Sequence, residues 1–256
     1  MPLDVEKIRL LRPQNQLHYF PTLGSTMTEA ARLAALRAPH GTVVLADEQT
    51  AGLGRLGRSW YSQAASGIYS TTLLRLPLSP ESAPLAALML GLATADAISR
   101  STNLMCDLRW PNDVLIDERK VAGILAQLVD GYILAGIGIN VNQASFPDGL
   151  RTPATSVLMK SGGRVHSRED ILLHLLPALD AYCSLLIEEG PHSILRAFAA
   201  ASSYALHRRV RVEESGTEGV TAGLDENGFL LLRLDDGRLE RITSGGIRPA
   251  AGNGTR

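Results

Sequence analysis

The period of the apolar positions changes several times along the chain, and each change marks a different element. Thr26-Met27-Thr28-Glu29 has the form of a capping box, and Ala30, Leu33, Ala34 and Leu36 follow at near-helical spacing. This predicts a helix that starts near Ser25 and ends before Pro39. Thr42 to Ala46 is a short β-branched run, and Ile68 to Leu76 is rich in strand formers, so two strands flank the glycine-rich loop between them. Pro84 to Ile98 is rich in Ala, Leu and Met and apolar on most sides, which predicts a helix buried against a sheet. The period then falls to two. Leu104 to Asp117, Val121 to Val129 and Tyr132 to Val141 read as strands, with Asp130-Gly131 as a tight hairpin turn between the last two. Ser167 and Asp170 open a helix that runs toward Glu189, and a shorter one covers Ser193 to Ala201.

Past Leu206 the texture changes again. Val210, Val212, Val220 and Ala222 alternate with polar residues, and Glu226-Asn227-Gly228 and Asp235-Asp236-Gly237 punctuate at short intervals. A small all-β unit is expected there. The expected division is a large α+β unit over residues 1–203, the small β domain over 204–250, and a flexible tail over 251–256.

Composition narrows the classes without choosing among them. Hydrophobic residues at 45% and charged residues at 20% suit a globular chain with a substantial core. A net charge of -1 lacks the Lys/Arg excess that phosphate binding produces, so no nucleic-acid partner is expected. Cys106 and Cys183 form neither a metal-ligand spacing nor a disulfide framework, which fits a reducing, cytoplasmic setting; Cys183 lies in a helical apolar pattern and reads as core. Met1 to Leu11 carries scattered charges unlike a secretory signal, and no segment reads as the roughly 20 apolar residues that span a bilayer. No membrane association is expected.

The candidate chemistry begins at Gly52-Leu53-Gly54-Arg55-Leu56-Gly57-Arg58-Ser59-Trp60. Glycines let backbone N–H groups approach a ligand, and the guanidinium groups of Arg55 and Arg58 can neutralise carboxylate or phosphate oxygens. The same letters match the G-x-G-x-x-G of a dinucleotide-binding turn. However, this loop runs into Trp60-Tyr61-Ser62 and a strand rather than opening a helix, and Leu73 to Pro77 supply no acidic strand end. A flexible surface loop with solvated arginines is the plainer alternative. Trp110-Pro111-Asn112-Asp113 sits at the start of an apolar strand, or is a simple turn. Lys120 precedes Val121-Ala122-Gly123-Ile124-Leu125, where Gly123 offers a place for a ligand to press on the backbone; alone, Lys120 reads as a solvated charge at a hairpin end. Gly136, Gly138, Asn140 and Asn142 share one face of a period-two strand, and Ile137, Ile139 and Val141 share the other. A bare face ending in amides suits a flat ring, and a strand crossed closely by a helix shows the same pattern.

Taken in order, Gly-Ser-Thr at 24–26, Glu-Gln-Thr-Ala-Gly-Leu-Gly-Arg-Leu-Gly-Arg-Ser-Trp at 48–60, Arg-Trp-Pro-Asn-Asp-Val at 109–114, Lys-Val-Ala-Gly-Ile-Leu at 120–125 and Gly-Ile-Gly-Ile-Asn-Val-Asn at 136–142 resemble the biotin protein ligase family. The resemblance is strong from Phe20 to Val157 and continues weakly into the small β domain. It implies an α+β fold: a mixed central sheet packed with helices, of the class II synthetase-like biotin–lipoyl ligase type, followed by an SH3-like β-barrel. It also implies a two-step reaction. Biotin carboxylate attacks the α-phosphate of ATP to give biotinyl-adenylate and pyrophosphate, and a lysine of a biotin carboxyl carrier domain then takes the biotinyl group. Arg55, Arg58 and Lys120 would face the developing pentavalent phosphate, with Mg²⁺ sharing the task and no metal ligand assigned on the protein.

By the same resemblance, Ser25, Thr26 and Gln49 would bond the ureido ring, although Ser25 and Thr26 also suit helix caps. Gly52, Arg55 and Gly123 would line the biotin chain and carboxylate, and Lys120 would hold the oxygens at the reacting centre. Trp60, Asn112 and Asn140 would surround the adenosine, and Asp113 would receive or orient the attacking lysine or touch the metal. The catalytic set is thus Arg55, Lys120 and Asp113. Three departures from the family pattern stand out. Leu53 replaces a common basic residue, Met27 replaces a common Asn, and Ser244-Gly245-Gly246-Ile247-Arg248 lacks an acidic residue, so no phosphate role is carried onto Arg248. About 20 residues precede Ser25, too few for a winged DNA-binding unit, so operator binding is not expected. Docking of the carrier domain by edge-strand pairing is the expected mode, and exposed strand edges leave a homodimer open. A lipoyl or octanoyl ligase and a non-catalytic biotin sensor are the competing functions; the cations favour catalysis over sensing.

Overall fold

The structure is a computed structural model and describes residues 2–79 and 82–250, without the side chain of Ala83, so the expected tail lies outside the described residues. Strands β1 (Leu17–Leu23), β2 (Val43–Gln49), β3 (Gly67–Leu74), β4 (Asp107–Arg109), β5 (Asp113–Ile116), β6 (Arg119–Val129) and β7 (Tyr132–Asn140) build one sheet in the order β1-β2-β3-β7-β6-β5-β4. Only β1 and β2 pair in parallel; every other pairing is antiparallel. Period-two side chains give this sheet two different faces. Ile133, Ala135, Ile137 and Ile139 of β7 join the main core beneath α3 (Ala83–Thr102), α5 (Arg168–Glu189) and α6 (Pro191–Ala201). Leu134 of the same strand joins a smaller core under α2 (Thr26–Ala35), with Val44, Leu73 and Leu125. Gly136, beneath Met27 of α2, and Gly138, one step beyond it, continue that second face, and the site is built there.

Several elements depart from the sequence expectation for physical reasons. Helix α2 is capped by Ser25, whose hydroxyl accepts from Met27 N–H at 3.3 Å, and Glu29 pairs with Arg32 at 2.7 Å instead of closing a capping box. The expected single strand over 104–117 is a hairpin, because Trp110 to Asn112 form its turn and Pro111 has no N–H for a ladder. Helix α1 (Val5–Leu11), capped by Asp4, and the one-turn α4 (Val157–Lys160) were not foreseen, nor was β1, where Pro21 interrupts the pattern. As an edge strand β1 tolerates that proline. Helix α5 is long and apolar enough to cross a membrane by length and composition, contrary to expectation, yet it buries Ile171, Leu172, Leu175, Leu176 and Leu179 in the main core.

The C-terminal unit is a five-stranded antiparallel sheet of β8 (Leu206–Val212), β9 (Glu218–Leu224), β10 (Leu230–Arg233), β11 (Leu239–Ile242) and β12 (Ile247–Pro249), in the order β11-β10-β9-β8-β12. Strands β11 and β12 stand at opposite ends of this order. In β8 the alternation holds, with Val210 and Val212 buried; in β9 the buried residues are Gly219 and Thr221, between the apolar Val220 and Ala222. The unit is seated on the large sheet by its 225–228 turn. Trp110 Nε1 donates to the Gly228 carbonyl at 3.0 Å, and a side chain at Gly228 would crowd Leu88 and Leu85 at 3.1 and 3.3 Å.

Candidate active site

Residues from both units enclose one cavity of roughly 190 Å³. Its floor follows from strand register. Gly123 of β6 lies directly opposite Gly138 of β7, so two missing side chains merge into one bare patch. The indole of Trp60 fills that patch: an added Cβ would meet Trp60 Cζ3 at 2.7 Å from Gly123, and Trp60 Nε1 at 2.5 Å from Gly138. Gly136, one step further, receives the Met27 thioether of α2. The reading of a closely crossing helix holds at Gly136, where α2 packs on the strand; at Gly138 the ring against the strand is the protein's own indole. Asn142 is turned away, exchanging hydrogen bonds with the His166 backbone at 2.8 and 3.0 Å.

The Gly52–Trp60 loop is a small hairpin flap. Trp60 N–H donates to the Gly52 carbonyl at 2.8 Å, and Gly54 N–H donates to the Arg58 carbonyl at 2.7 Å. A single 3₁₀ turn, Arg55–Gly57, forms the tip, where Leu56 and Gly57 both have positive φ. No dinucleotide-type helix follows, since the chain runs on into β3. The flap carries Arg55 onto the cavity wall, where Nη1 donates to Asn112 Oδ1 at 3.0 Å and to the Gly245 carbonyl at 3.1 Å. Burial lowers its pKa from the ordinary value, opposed by Asp113 and Glu214.

Lys120 lines the cavity with Nζ 2.5 Å from Asp113 Oδ1 and 5.4 Å from the centre of the Trp60 ring. Arg109 Nη2 holds the other oxygen of Asp113 at 2.6 Å. Burial pushes the Asp113 carboxyl up, but the charges of Lys120 and Arg109 outweigh it and hold the pKa at about 2. Asp113 is therefore a fixed anion and a poor base for an incoming amine. At the opposite end, Gln49 Oε1 accepts from Thr26 N–H at 2.8 Å and from its hydroxyl at 3.1 Å, Gln49 Nε2 donates to Ser62 at 2.9 Å, and Thr71 donates to Thr26 at 2.9 Å.

Thr26, Gln49, Arg55, Arg58, Trp60, Asn112, Asp113, Lys120, Gly123 and Asn140 all line this cavity, as the sequence predicts for one site. Two candidates do not. Ser25, its hydroxyl engaged in capping α2, faces a separate shallow depression with Leu23, Gly24 and Leu53. Gly52 is buried behind the flap, where a Cβ would sit 2.6 Å from the Trp60 carbonyl oxygen, so its place in the hairpin demands glycine. The amides of Asn112 and Asn140 also brace the walls: Asn112 donates to the Ile124 carbonyl at 2.8 Å, and Asn140 donates to the Thr155 carbonyl at 3.0 Å.

Sequence reasoning missed the polar mouth. Glu213 and Glu214, at the β8–β9 turn, gather three guanidinium groups. Arg58 meets Glu214 at 2.8 Å, Arg151 meets Glu213 at 3.2 Å, and Arg248 pairs with Glu213 and Thr152. Arg248 lines the cavity, its pKa lowered by burial, and its Nη1 is buried without a hydrogen-bond partner. Arg58 is an expected site residue and Arg248 is named without a role, whereas Arg151, Glu213 and Glu214 were missed, since nothing local to them indicates a cavity. Among the described residues no group of three or more His, Cys, Asp and Glu is placed to hold a metal ion.

A cationic cavity between a mixed sheet and a small antiparallel domain, closed by a glycine-arginine flap, suits an enzyme that joins anionic substrates. The pattern of the biotin/lipoate A/B protein ligase family matches residues 19–143, and that of the biotin protein ligase C-terminal domain matches residues 206–247. The chain is 34% identical over 242 residues to the bifunctional ligase/repressor BirA of Bacillus subtilis, covering 90% of this chain and 73% of that protein. It is 33% identical over 240 residues to the biotin–acetyl-CoA-carboxylase ligase of Mycobacterium tuberculosis, covering 91% and 88%. Among solved structures, the biotin protein ligase of Aquifex aeolicus in complex with biotin and ATP superposes with a TM-score of 0.78 at 31% identity, covering 91% of this chain and 97% of that one. This chain belongs to the biotin protein ligase family.

Proposed function

We propose that this chain activates biotin with ATP and passes the biotinyl group to a lysine of a biotin carboxyl carrier domain. In the first step a biotin carboxylate oxygen bonds to the α-phosphorus and pyrophosphate leaves, giving biotinyl-5'-AMP. In the second step the lysine amine attacks the acyl carbon, AMP leaves, and the amine sheds a proton. The observation that carries this reading is one half-open cavity lined by both Arg55 and Lys120, beside the Gly123–Gly138 floor. Two anions repel each other, and preorganised cations in a water-poor site offset that repulsion and stabilise charge at the reacting phosphorus.

The polar end at Thr26 and Gln49 matches the ureido ring, and the path past Gly123 toward Arg55 and Lys120 leads the carboxylate to the phosphate. Trp60 offers an aromatic face to the adenine, and the flap shields the mixed anhydride from water. Asp113, fixed between two cations, orients Lys120 rather than accepting the amine proton. Mg²⁺ would enter on the triphosphate: the cavity carboxylates Asp113 and Glu213 are both paired with cations, so the chain itself offers no ready ligand set. Biotin-dependent exchange of labelled pyrophosphate into ATP tests the first step, and mass spectrometry of a carrier domain after incubation with ATP and biotin tests the second. Exchange with lipoate in preference to biotin, or tight biotin binding without exchange, would overturn the reading.

A further inference from the structure

The register of the sheet sets Arg109, Asp113, Gly123 and Gly138 in one row across β4, β5, β6 and β7. Gly138 and Gly123 form the floor, and Asp113 stands at its edge. Arg109 lies one strand further out, 3% exposed and absent from the cavity lining. The Asp113 carboxylate is thus shared between two cations, with Oδ1 on Lys120 Nζ at 2.5 Å and Oδ2 on Arg109 Nη2 at 2.6 Å. We propose that Arg109 is a positioning residue for the reaction: by engaging the far oxygen of Asp113 it fixes the carboxylate so that the near oxygen presents Lys120 to the substrates. This rests on the reading of Lys120 given under the proposed function.

The physical reason lies in the geometry of a carboxylate. With one oxygen anchored from behind, the group has a single orientation and makes a single contact with Lys120, leaving the other ammonium protons for phosphate and carboxylate oxygens. Without Arg109, both oxygens are free to close on Lys120, drawing the ammonium toward Asp113 and out of the cavity. The charges that face Asp113 are Arg109 from β4, Lys120 from β6, Arg55 from the flap and Arg248 from β12. Removing Arg109 takes away one of the two that touch it.

Arg109 is itself held by the segment that connects the two units. The Tyr204 ring lies 5.8 Å from its guanidinium and carries Arg208 at 4.1 Å. Ser202 donates to the Leu108 carbonyl at 2.6 Å, and Ser203 bonds Asp107 through its N–H at 2.8 Å and its hydroxyl at 2.6 Å. Strand β4 is therefore clasped by residues 202–204, so the placement of Lys120 depends on how the small domain is joined to the large one.

A purely structural role, stapling the β4–β5 hairpin, would lower stability and leave the chemistry of the folded protein unchanged. The test is biotin-dependent pyrophosphate exchange by the full chain as Arg109→Met and Arg109→Lys, with melting curves to confirm folding; Arg109→Gln replaces the methionine variant if that one does not fold. The uncharged variant is expected to lose kcat by about tenfold or more at a biotin KM within about twofold of wild type. Its activity should fall away toward pH 5 where the wild type stays level, because Asp113 then protonates at higher pH. Arg109→Lys should regain most of the loss. A folded, uncharged variant with wild-type kcat and pH profile, or a lysine variant no better than it, would overturn the proposal. Absence of exchange by the wild type would overturn the function reading and this proposal with it.

Discussion

Replacing Gly138 with alanine puts one methyl group where the Trp60 ring rests. The backbone there lies outside the left-handed region, so alanine adopts it without strain and the whole effect is steric. The new Cβ would lie 2.5 Å from Trp60 Nε1 and 2.8 Å from Cζ2, against a comfortable contact of about 3.5 to 4.0 Å. The ring must therefore withdraw by roughly 1 Å, and overpacking of this kind costs about 1 to 3 kcal/mol. If the folded state bears the cost, the melting temperature drops by about 2 to 4 °C per kcal/mol for a chain of this size. If the flap instead swings outward to relieve it, ligand binding that needs the closed flap weakens by about 5- to 140-fold. Tryptophan emission separates the two outcomes. The sequence has 2 Trp residues. Trp110 is buried with its N–H bonded to the Gly228 carbonyl, so it serves as an internal reference for Trp60. A red shift together with weaker calorimetric binding of biotin and a non-hydrolysable ATP analogue means the flap has lifted; a lower melting point at constant emission means the floor absorbed the strain. An unchanged spectrum, melting point and affinity would refute the seating of Trp60 on Gly138.

Three further perturbations probe the rest of the site. Arg55→Met deletes the bonds to Asn112 and Gly245, and loss of a charged hydrogen-bonding partner, about 1.5 to 3 kcal/mol, should appear as faster release of biotinyl-adenylate, measured by trapping the free intermediate. Glu214→Gln weakens the hold on Arg58, so the flap should show faster amide exchange over residues 52–60, with little change if the pair is merely a surface contact. Acid should act through Asp113. Its folded pKa of about 2 is depressed below the ordinary 3.8, so its contribution to stability is present above about pH 4 and fades as pH falls through 2. Asp113→Asn should be less stable than wild type at pH 7, and denaturant midpoints should show that gap narrowing toward pH 3; a constant gap would contradict the paired carboxylate.

Local signals made most of the fold legible. Ser25 and Ser167 cap helices because a hydroxyl at that position satisfies an orphan N–H, and Asp130-Gly131 turns a hairpin because both residues sit at positive φ. The floor was legible too, since glycines spaced by two must share a face. What escaped is what depends on distant pairing. Strand β1 is held by β2 at a sheet edge and carries a proline that argues against it locally. The strand expected from Leu104 onward splits at the Trp110–Asn112 turn, and Trp110 there bonds the Gly228 carbonyl of the other unit. Arg151 and Glu213 come from segments far apart in sequence, neither with a local pattern that ties it to the other or to Arg248.

That distant cluster ties the flap to the small domain. The flap is joined to the small domain through Arg58 and Glu214 and through Arg55 and the Gly245 carbonyl, while Gly246 N–H donates to Glu214 at 2.9 Å. Both flap arginines are thus held by the C-terminal unit before any anion is present. On the proposed function, the phosphates of ATP would compete with Glu213 and Glu214 for Arg58, Arg151 and Arg248, cations of the same mouth. The carboxylates offset cationic repulsion in the free protein, and phosphates bearing more charge can displace them, so an empty mouth need not fly apart to be able to bind. The small domain therefore belongs to the site as much as the sheet does: removing it would take away Gly245, Arg248 and both carboxylates, leaving the flap without its anchors.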